Sequence, residues 1–179
     1  MQTNLEHVLA QIGAQKRPPL QLWQPPLSGD IDIEIRRDGS WWHEGAQIAR
    51  IELVRLFASI LRREGENHFL VTPVEKWRIR VLDAPFVAVA LEVFGEGGEQ
   101  LLVFETNVGE RIACDAGHPL QVKTRDNGEP APYLLLRDGL RALLSRSVFY
   151  QLVELAEARD DELILRSRGA EFSLGRIDE

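Results

Sequence analysis

Residues 30–42 read DIDIEIRRDGSWW, and the fold follows from how this stretch is read. Ile31, Ile33 and Ile35 alternate with Asp30, Asp32, Glu34 and Arg36, a period of two with one apolar face, which is the pattern of a half-buried strand. Asp38-Gly39 is a tight-turn signal, and Trp41-Trp42 forms the return strand. Glu44-Gly45 turns again toward residues 46–48. Ile51, Val54, Phe57, Ile60 and Leu61 then recur at helical spacing, predicting a helix to about Arg63 that Gly65 ends. Residues 68–71 and 76–81 read as a hairpin across 72–75.

Upstream, Thr3-Asn4-Leu5-Glu6 is a capping box. Leu5, Val8, Leu9 and Ile12 share one face of the short helix it opens, which Gly13 stops. Residues 16–29 hold four prolines and read as an extended wrap anchored by Leu20, Leu22, Trp23 and Leu27. Downstream, 85–94 is a nearly continuous apolar run, expected as a central strand. A meander continues through 101–105, 110–114 and 120–124, followed by a short strand at 133–136. Val148, Phe149, Leu152, Val153, Leu155 and Ala156 mark a helix capped at Ser145 or Ser147, and 163–166 with 170–174 form a last hairpin.

The chain also repeats itself. Arg37-Asp38-Gly39 returns as Arg137-Asp138-Gly139, Phe69-Leu70-Val71 as Leu163-Ile164-Leu165, and Trp77 and Ile79 as Phe172 and Leu174. The expected fold is therefore α+β and mainly antiparallel, with two related strand–helix–strand units. Residues 1–19 form an N-terminal helix and wrap, 20–84 the first unit and 85–179 the second. Duplicated modules share a contact zone, which is a favoured place for a ligand.

Composition narrows the function. The chain has 179 residues, 28 acidic against 21 basic, for a net charge of −7. Residues 1–84 balance at 11 of each sign, so the whole deficit lies in 85–179. That excludes the chain-wide basic field of a non-specific nucleic-acid binder. No apolar run reaches the roughly 18–20 residues of a membrane helix, and no secretory signal is visible, so a cytoplasmic protein without membrane association is expected. The single cysteine, Cys114, excludes an internal disulfide. No Walker loop, dinucleotide glycine fingerprint, His-Glu-x-x-His or nucleophile elbow occurs, and no cofactor is expected.

Four groups of residues carry chemistry. Cys114, Asp115 and His118 offer a thiol with a base and its orienter, or a core thiol beside a turn. Asp30, Asp32 and Glu34 offer a divalent-ion or acid/base set, or the solvated side of a strand. Lys76, Arg78 and Arg80, with Arg36, Arg37, Trp41 and Trp42, offer an anion or base-stacking surface, or an edge protected by charge. Phe104–Gly109 places Thr106 and Asn107 on a hairpin tip, as ligand contacts or as turn chemistry.

Several stretches together resemble the bacterial domain-of-unknown-function family 1285. They are Pro25-Pro26-Leu27-Ser28-Gly29-Asp30-Ile31-Asp32, Arg37-Asp38-Gly39-Ser40-Trp41, Leu53-Val54-Arg55-Leu56-Phe57, Phe69-Leu70-Val71-Thr72-Pro73-Val74-Glu75-Lys76, Asp83-Ala84-Pro85-Phe86-Val87, Thr106-Asn107-Val108-Gly109 and His118-Pro119-Leu120. The resemblance runs from about Trp23 to about Ala156. It implies an α+β fold with internal duplication, a C-terminal half loosely like a pleckstrin-homology fold, a binding region between the halves and a role in signalling. It brings no catalytic residues. One departure is the start of the first long helix, where Ile51 follows Arg50 instead of a polar or proline start.

The first reading is a non-enzymatic binding or regulatory protein for a small anionic ligand or a protein partner. Its expected site residues are Trp23, Asp30, Asp32, Trp41, Arg55, Thr106, Asn107, Asp115, His118 and Arg137. The tryptophans would stack or pack, the arginines neutralise anionic groups, and Thr106, Asn107 and His118 orient by hydrogen bonds. The other readings are a hydrolase or phosphotransfer enzyme using Asp30 and Asp32 with a divalent ion, and a single-stranded nucleic-acid binder using the basic and tryptophan face.

Overall fold

The alternation at 30–35 does form a strand, and its charged positions select its neighbour. The structure, a computed structural model, describes residues 6, 7, 9, 10, 12 and 16–177. The first compact unit spans Lys16–Pro85 and takes in Asp138–Leu140. Its strands are β1 (Gly29–Ile35), β2 (Trp41–His43), β3 (Ala46–Gln47), β4 (Leu61–Glu64), β5 (Asn67–Val71) and β6 (Lys76–Val81), in the order β3-β2-β1-β6-β5-β4. Helix α1 (Ile51–Ser59) lies between β3 and β4 in the chain. Only β1 and β6 pair in parallel in this sheet. Ile33 and Ile35 are buried, and so are Val54 and Ala58 of α1. Phe57 stacks on Trp41 with ring centroids 6.1 Å apart. At the helix start Arg50 supplies no side-chain cap, and its carbonyl accepts from Leu53 and Val54.

The helix stops four residues before the expected Arg63. Leu61–Glu64 instead pair with β5, and Val71 N–H donates to Ile60 O. Leu61 satisfies both periods, since it lies four residues beyond Phe57 and faces inward on a strand. Gly65, at φ 59°, therefore closes a hairpin rather than a helix. The wrap is also anchored differently. Residues 20–22 form a short 3-10 turn that buries Leu20 but leaves Leu22 74% exposed. Leu27 is exposed as well, because attachment there runs through Ser28, whose N–H donates to Lys76 O (2.8 Å) and whose Oγ accepts from Lys76 N–H (3.0 Å).

The second unit takes in the described residues before Lys16, Phe86–Arg137 and the chain from Arg141 onward. Its strands β7 (Phe86–Phe94), β8 (Leu101–Thr106), β9 (Arg111–Ala113), β10 (Leu120–Thr124), β11 (Pro130–Leu135) and β12 (Arg141–Leu144) run in the order β10-β11-β12-β7-β8-β9. Helix α2 (Arg146–Leu155) follows, with Ser145 Oγ accepting from Val148 N–H as its cap. A separate three-stranded sheet, β13 (Glu157–Arg159), β14 (Glu162–Ser167) and β15 (Ala170–Arg176), completes the unit. Strands β12 and β13 were not legible as strands, being short and without a full alternation.

The expected meander breaks at β10, which lies at the opposite edge from β9. In a flat six-stranded sheet those edges stand about 24 Å apart. The link doubles back where Asp115 and His118 exchange backbone hydrogen bonds of 3.3 and 3.2 Å, so from Ala113 to Leu120 it reaches roughly 19 Å. The sheet must therefore curl until its edges approach. Leu101–Phe104 are buried on both faces. Leu101 and Val103 pack against Leu9 and Ile12, while Leu102 and Phe104 are fully buried. Residues 6, 7, 9, 10 and 12 are helical, as predicted; Thr3, Leu5, Val8 and Gly13 of that prediction lie outside the described residues.

The two six-stranded sheets share one topology. Each is a pair of three-stranded meanders whose first and last strands meet in parallel at the centre, β1 with β6 and β7 with β12. The fold is thus α+β with internal duplication. The equivalent residues are not those the sequence pairs. Arg37-Asp38-Gly39 joins β1 to β2, whereas Arg137-Asp138-Gly139 joins β11 to β12. Leu163–Leu165 and Phe172–Leu174 belong to the third sheet, not to the counterparts of β5 and β6. The helices also differ in place, α1 between meanders and α2 after them.

The third sheet is tied to β8 by a buried hydroxyl. Ser167 Oγ donates to Cys114 O (2.6 Å) and accepts from Leu102 N–H (2.9 Å). Ser167→Ala strands both groups out of reach of water. It is expected to lower stability by roughly 2–4 kcal/mol, read from urea denaturation; a loss below 0.5 kcal/mol (roughly the scale of a surface substitution) contradicts this role.

Candidate functional site

Parallel pairing of β1 with β6 sets Asp30 beside Arg78 and Glu34 beside Arg80. Arg78 lies 3.4 Å from Asp30, while Arg80 bridges Asp32 (2.6 Å) and Glu34 (3.4 Å). Arg36 adds a 3.1 Å contact to Glu34 and lies over the Trp42 ring at 3.6 Å. Lys76 and Arg78 lie over Phe69. The acidic stripe and the basic stripe of the sequence are thus one ladder of alternating charges. Exposed pairs of this kind contribute roughly 0–1 kcal/mol each. Among the described residues no group of three or more His, Cys, Asp or Glu side chains is placed to share a metal ion.

Of the other expected residues in the first unit, Trp41 is 1% exposed and packs on Phe57, and Arg55 is on the exposed side of α1. Trp23 is half-buried.

In the second unit Thr106, Asn107 and Arg137 converge on the β8–β9 turn. Thr106, buried, accepts from Glu110 N–H through Oγ1 (3.2 Å). Asn107 Oδ1 accepts from Val87 N–H (3.0 Å), and Asn107 N–H donates to Val87 O (2.8 Å). Arg137 Nη1 donates to both Glu110 oxygens at 2.5 and 2.7 Å in a largely buried pair. These contacts close the turn around the start of β7.

Asp115 organises the β9–β10 link. Its Oδ1 accepts from Gly117 N–H (2.9 Å) and His118 N–H (2.9 Å) and faces His118 Nδ1 at 3.3 Å; its Oδ2 accepts from Arg168 (3.1 Å). Burial opposes ionisation, but the His118 and Gly117 amides and the His118 ring outweigh it and hold the carboxyl below its ordinary value. Cys114 is fully buried, and burial, with the neighbouring Asp115 charge, pushes its thiol up to about 12. A thiol in that state is no nucleophile.

A further feature is one the sequence did not announce. A cavity of about 240 Å³ within the first unit is lined by Leu20, Gln21, Gln24, Leu61, Arg62, Arg63 and Asp138. Arg62 Nη2 donates to Leu20 O and to Trp23 O (2.8 Å), clasping the 3-10 turn, and Nη1 stands 4.0 Å from Glu64. Arg63 directs Nε to Gly65 O (2.8 Å), Nη1 to Gly139 O (2.9 Å) and Nη2 toward Glu66 (3.5 Å). Gln24 reaches Gln21 O. Trp23 adjoins this wall through its carbonyl. Reading 61–63 as the end of a helix hid the cavity, since it forms along β4, which pairs with β5 alone and is an edge of the sheet.

Residues 18–84 match the family described as "Domain of unknown function (DUF1285), N-terminal domain", and residues 85–174 match its C-terminal domain. The chain belongs to the DUF1285 family. A solved DUF1285 family protein from Silicibacter pomeroyi DSS-3 is 47% identical, with a TM-score of 0.86 and 95% of each chain covered. Another, from Shewanella baltica OS155, is 32% identical with a TM-score of 0.54, covering 68% of this chain and 90% of that one. No curated protein matches the chain. The boundary between the two DUF1285 domains, after residue 84, falls in the link between β6 and β7. No helix among the described residues is long and apolar enough to cross a membrane.

Two outcomes test this geometry. A carboxylate with a lowered folded-state pKa stabilises above its unfolded value, near 3.9, and that contribution is lost as pH falls through the lowered value. Asp115→Asn is therefore expected to cost about 1–2 kcal/mol at pH 6 and to converge with the wild type toward pH 2 in urea titrations; parallel curves would refute the assignment. Native Cys114 should resist iodoacetamide at pH 8 and react once urea unfolds the chain. Rapid labelling of the folded protein would contradict its burial.

Proposed function

We propose that the protein is a non-enzymatic binding module that recognises a small anionic ligand and serves a regulatory or signalling role. The observation that supports this is the pair Arg62 and Arg63 on the wall of one cavity, beside the amides of Gln21 and Gln24. Guanidinium stays charged at any physiological pH, and with nitrogens turned to the carbonyls of Leu20, Trp23, Gly65 and Gly139 these two act on a ligand chiefly through their positive field. Such a lining recognises charge and does not relay protons. Leu20 and Leu61, 9% and 1% exposed, give the cavity an apolar wall that strengthens the attraction. At about 240 Å³ the space equals roughly eight water volumes, the scale of a small metabolite.

Calorimetric and melting titrations with inorganic phosphate and with succinate test the reading. A ligand at a hundredfold excess over its Kd is expected to stabilise the native state by about 2.7 kcal/mol. Gln24→Trp, at an exposed position, fills the cavity mouth and should abolish the effect without changing the stability of the free protein. Indifference of the wild type to both anions, or equal binding by Gln24→Trp, would sink the proposal.

A further inference from the structure

We infer that the ligand of the Arg62–Arg63 cavity is a small free α-amino acid, its carboxylate facing the guanidinium side and its ammonium facing Asp138. This inference rests on the binding reading above and extends it to a ligand class. The cavity wall is not uniformly cationic, because Asp138 belongs to it together with the two arginines. A simple anion engages only the cationic side of that lining; a zwitterion meets a partner at each end.

Asp138 is held in place. It sits at φ 54°, ψ 34°, in the left-handed region, next to Gly139 at φ 76°. The Gly139 carbonyl accepts from Arg63 Nη1 at 2.9 Å, so the cation that borders the cavity also fixes the turn carrying the acid. Arg63 directs its three nitrogens to Gly65, Gly139 and Glu66, which leaves its role as positional and electrostatic. Arg62 holds its Nη1 only loosely, 4.0 Å from Glu64. Gln21 and Gln24 add amide donors and acceptors at the mouth, where both residues are exposed. Leu20 and Leu61 supply an apolar wall for a short aliphatic side chain. Opposite charges within one small cavity select a ligand that carries both signs a few ångströms apart, and an α-amino acid is the smallest common molecule that does so.

The test compares L-alanine with its two halves, propionate and ethylamine, and with inorganic phosphate, by calorimetry on the wild type and on Asp138→Asn. Asparagine tolerates the left-handed backbone as well as aspartate does, so the variant keeps the turn. The expected result is that alanine binds the wild type at least about tenfold more tightly than either half. Asp138→Asn should lose about that factor for alanine and hold propionate and phosphate or bind them more tightly. If propionate or phosphate binds as well as alanine, or if Asp138→Asn leaves alanine binding unchanged, the amino-acid inference is overturned while the anion reading stands. If neither phosphate nor propionate binds the wild type, the anion reading falls, and this inference falls with it.

Discussion

The parallel contact at the middle of each six-stranded sheet is the constraint from which the rest follows. Parallel neighbours cannot be joined by a tight turn, so the chain must travel away and return before the two strands can meet. In the first unit β1 meets β6 only after two further strands, a helix and two more strands. In the second, β7 meets β12 after four strands and a doubled-back link. Every other strand pair in these sheets is antiparallel and closed locally. The long-range closure therefore rests on one contact per unit, and the side chains at that contact carry unusual weight.

The chemistry at that contact differs between the units. In the first, β1 brings acids and β6 brings bases, so register and charge agree: a slip by one residue would place Asp30 and Asp32 on the apolar face and break the ladder to Arg78 and Arg80. In the second, Ala142, Leu143 and Leu144 meet Phe86, Val87 and Ala88, and apolar fit takes the place of charge. The first unit can thus leave its ladder in water, while the second must be covered on both sides, which its curled sheet and added hairpin accomplish.

Local patterns were legible where one period dominated. The alternation at 30–35, the cap at Ser145 and the turns at Glu44-Gly45 and Arg168-Gly169, whose four residues sit at positive φ, are each decided by neighbours in sequence. Duplication was legible as a fact but not in its register, because Arg-Asp-Gly recurs wherever a turn wants a left-handed residue, whether or not the turns correspond. Leu61 shows the limit of periodicity: a residue that suits both a helix and a strand is assigned by its partners in β5, which lie beyond the window of the pattern. The cavity depended on that same assignment. Charge pairing across β1 and β6 was likewise invisible, since acids and bases 48 residues apart look like two stripes until a strand pairing joins them.

Arg62 is secured by main-chain oxygens of Leu20 and Trp23 rather than by particular side chains. Every residue type offers a carbonyl. Side chains along this proline-flanked stretch can therefore change while the cation keeps its post, so the wall at positions 21 and 24 can be altered without disturbing the hold on the turn.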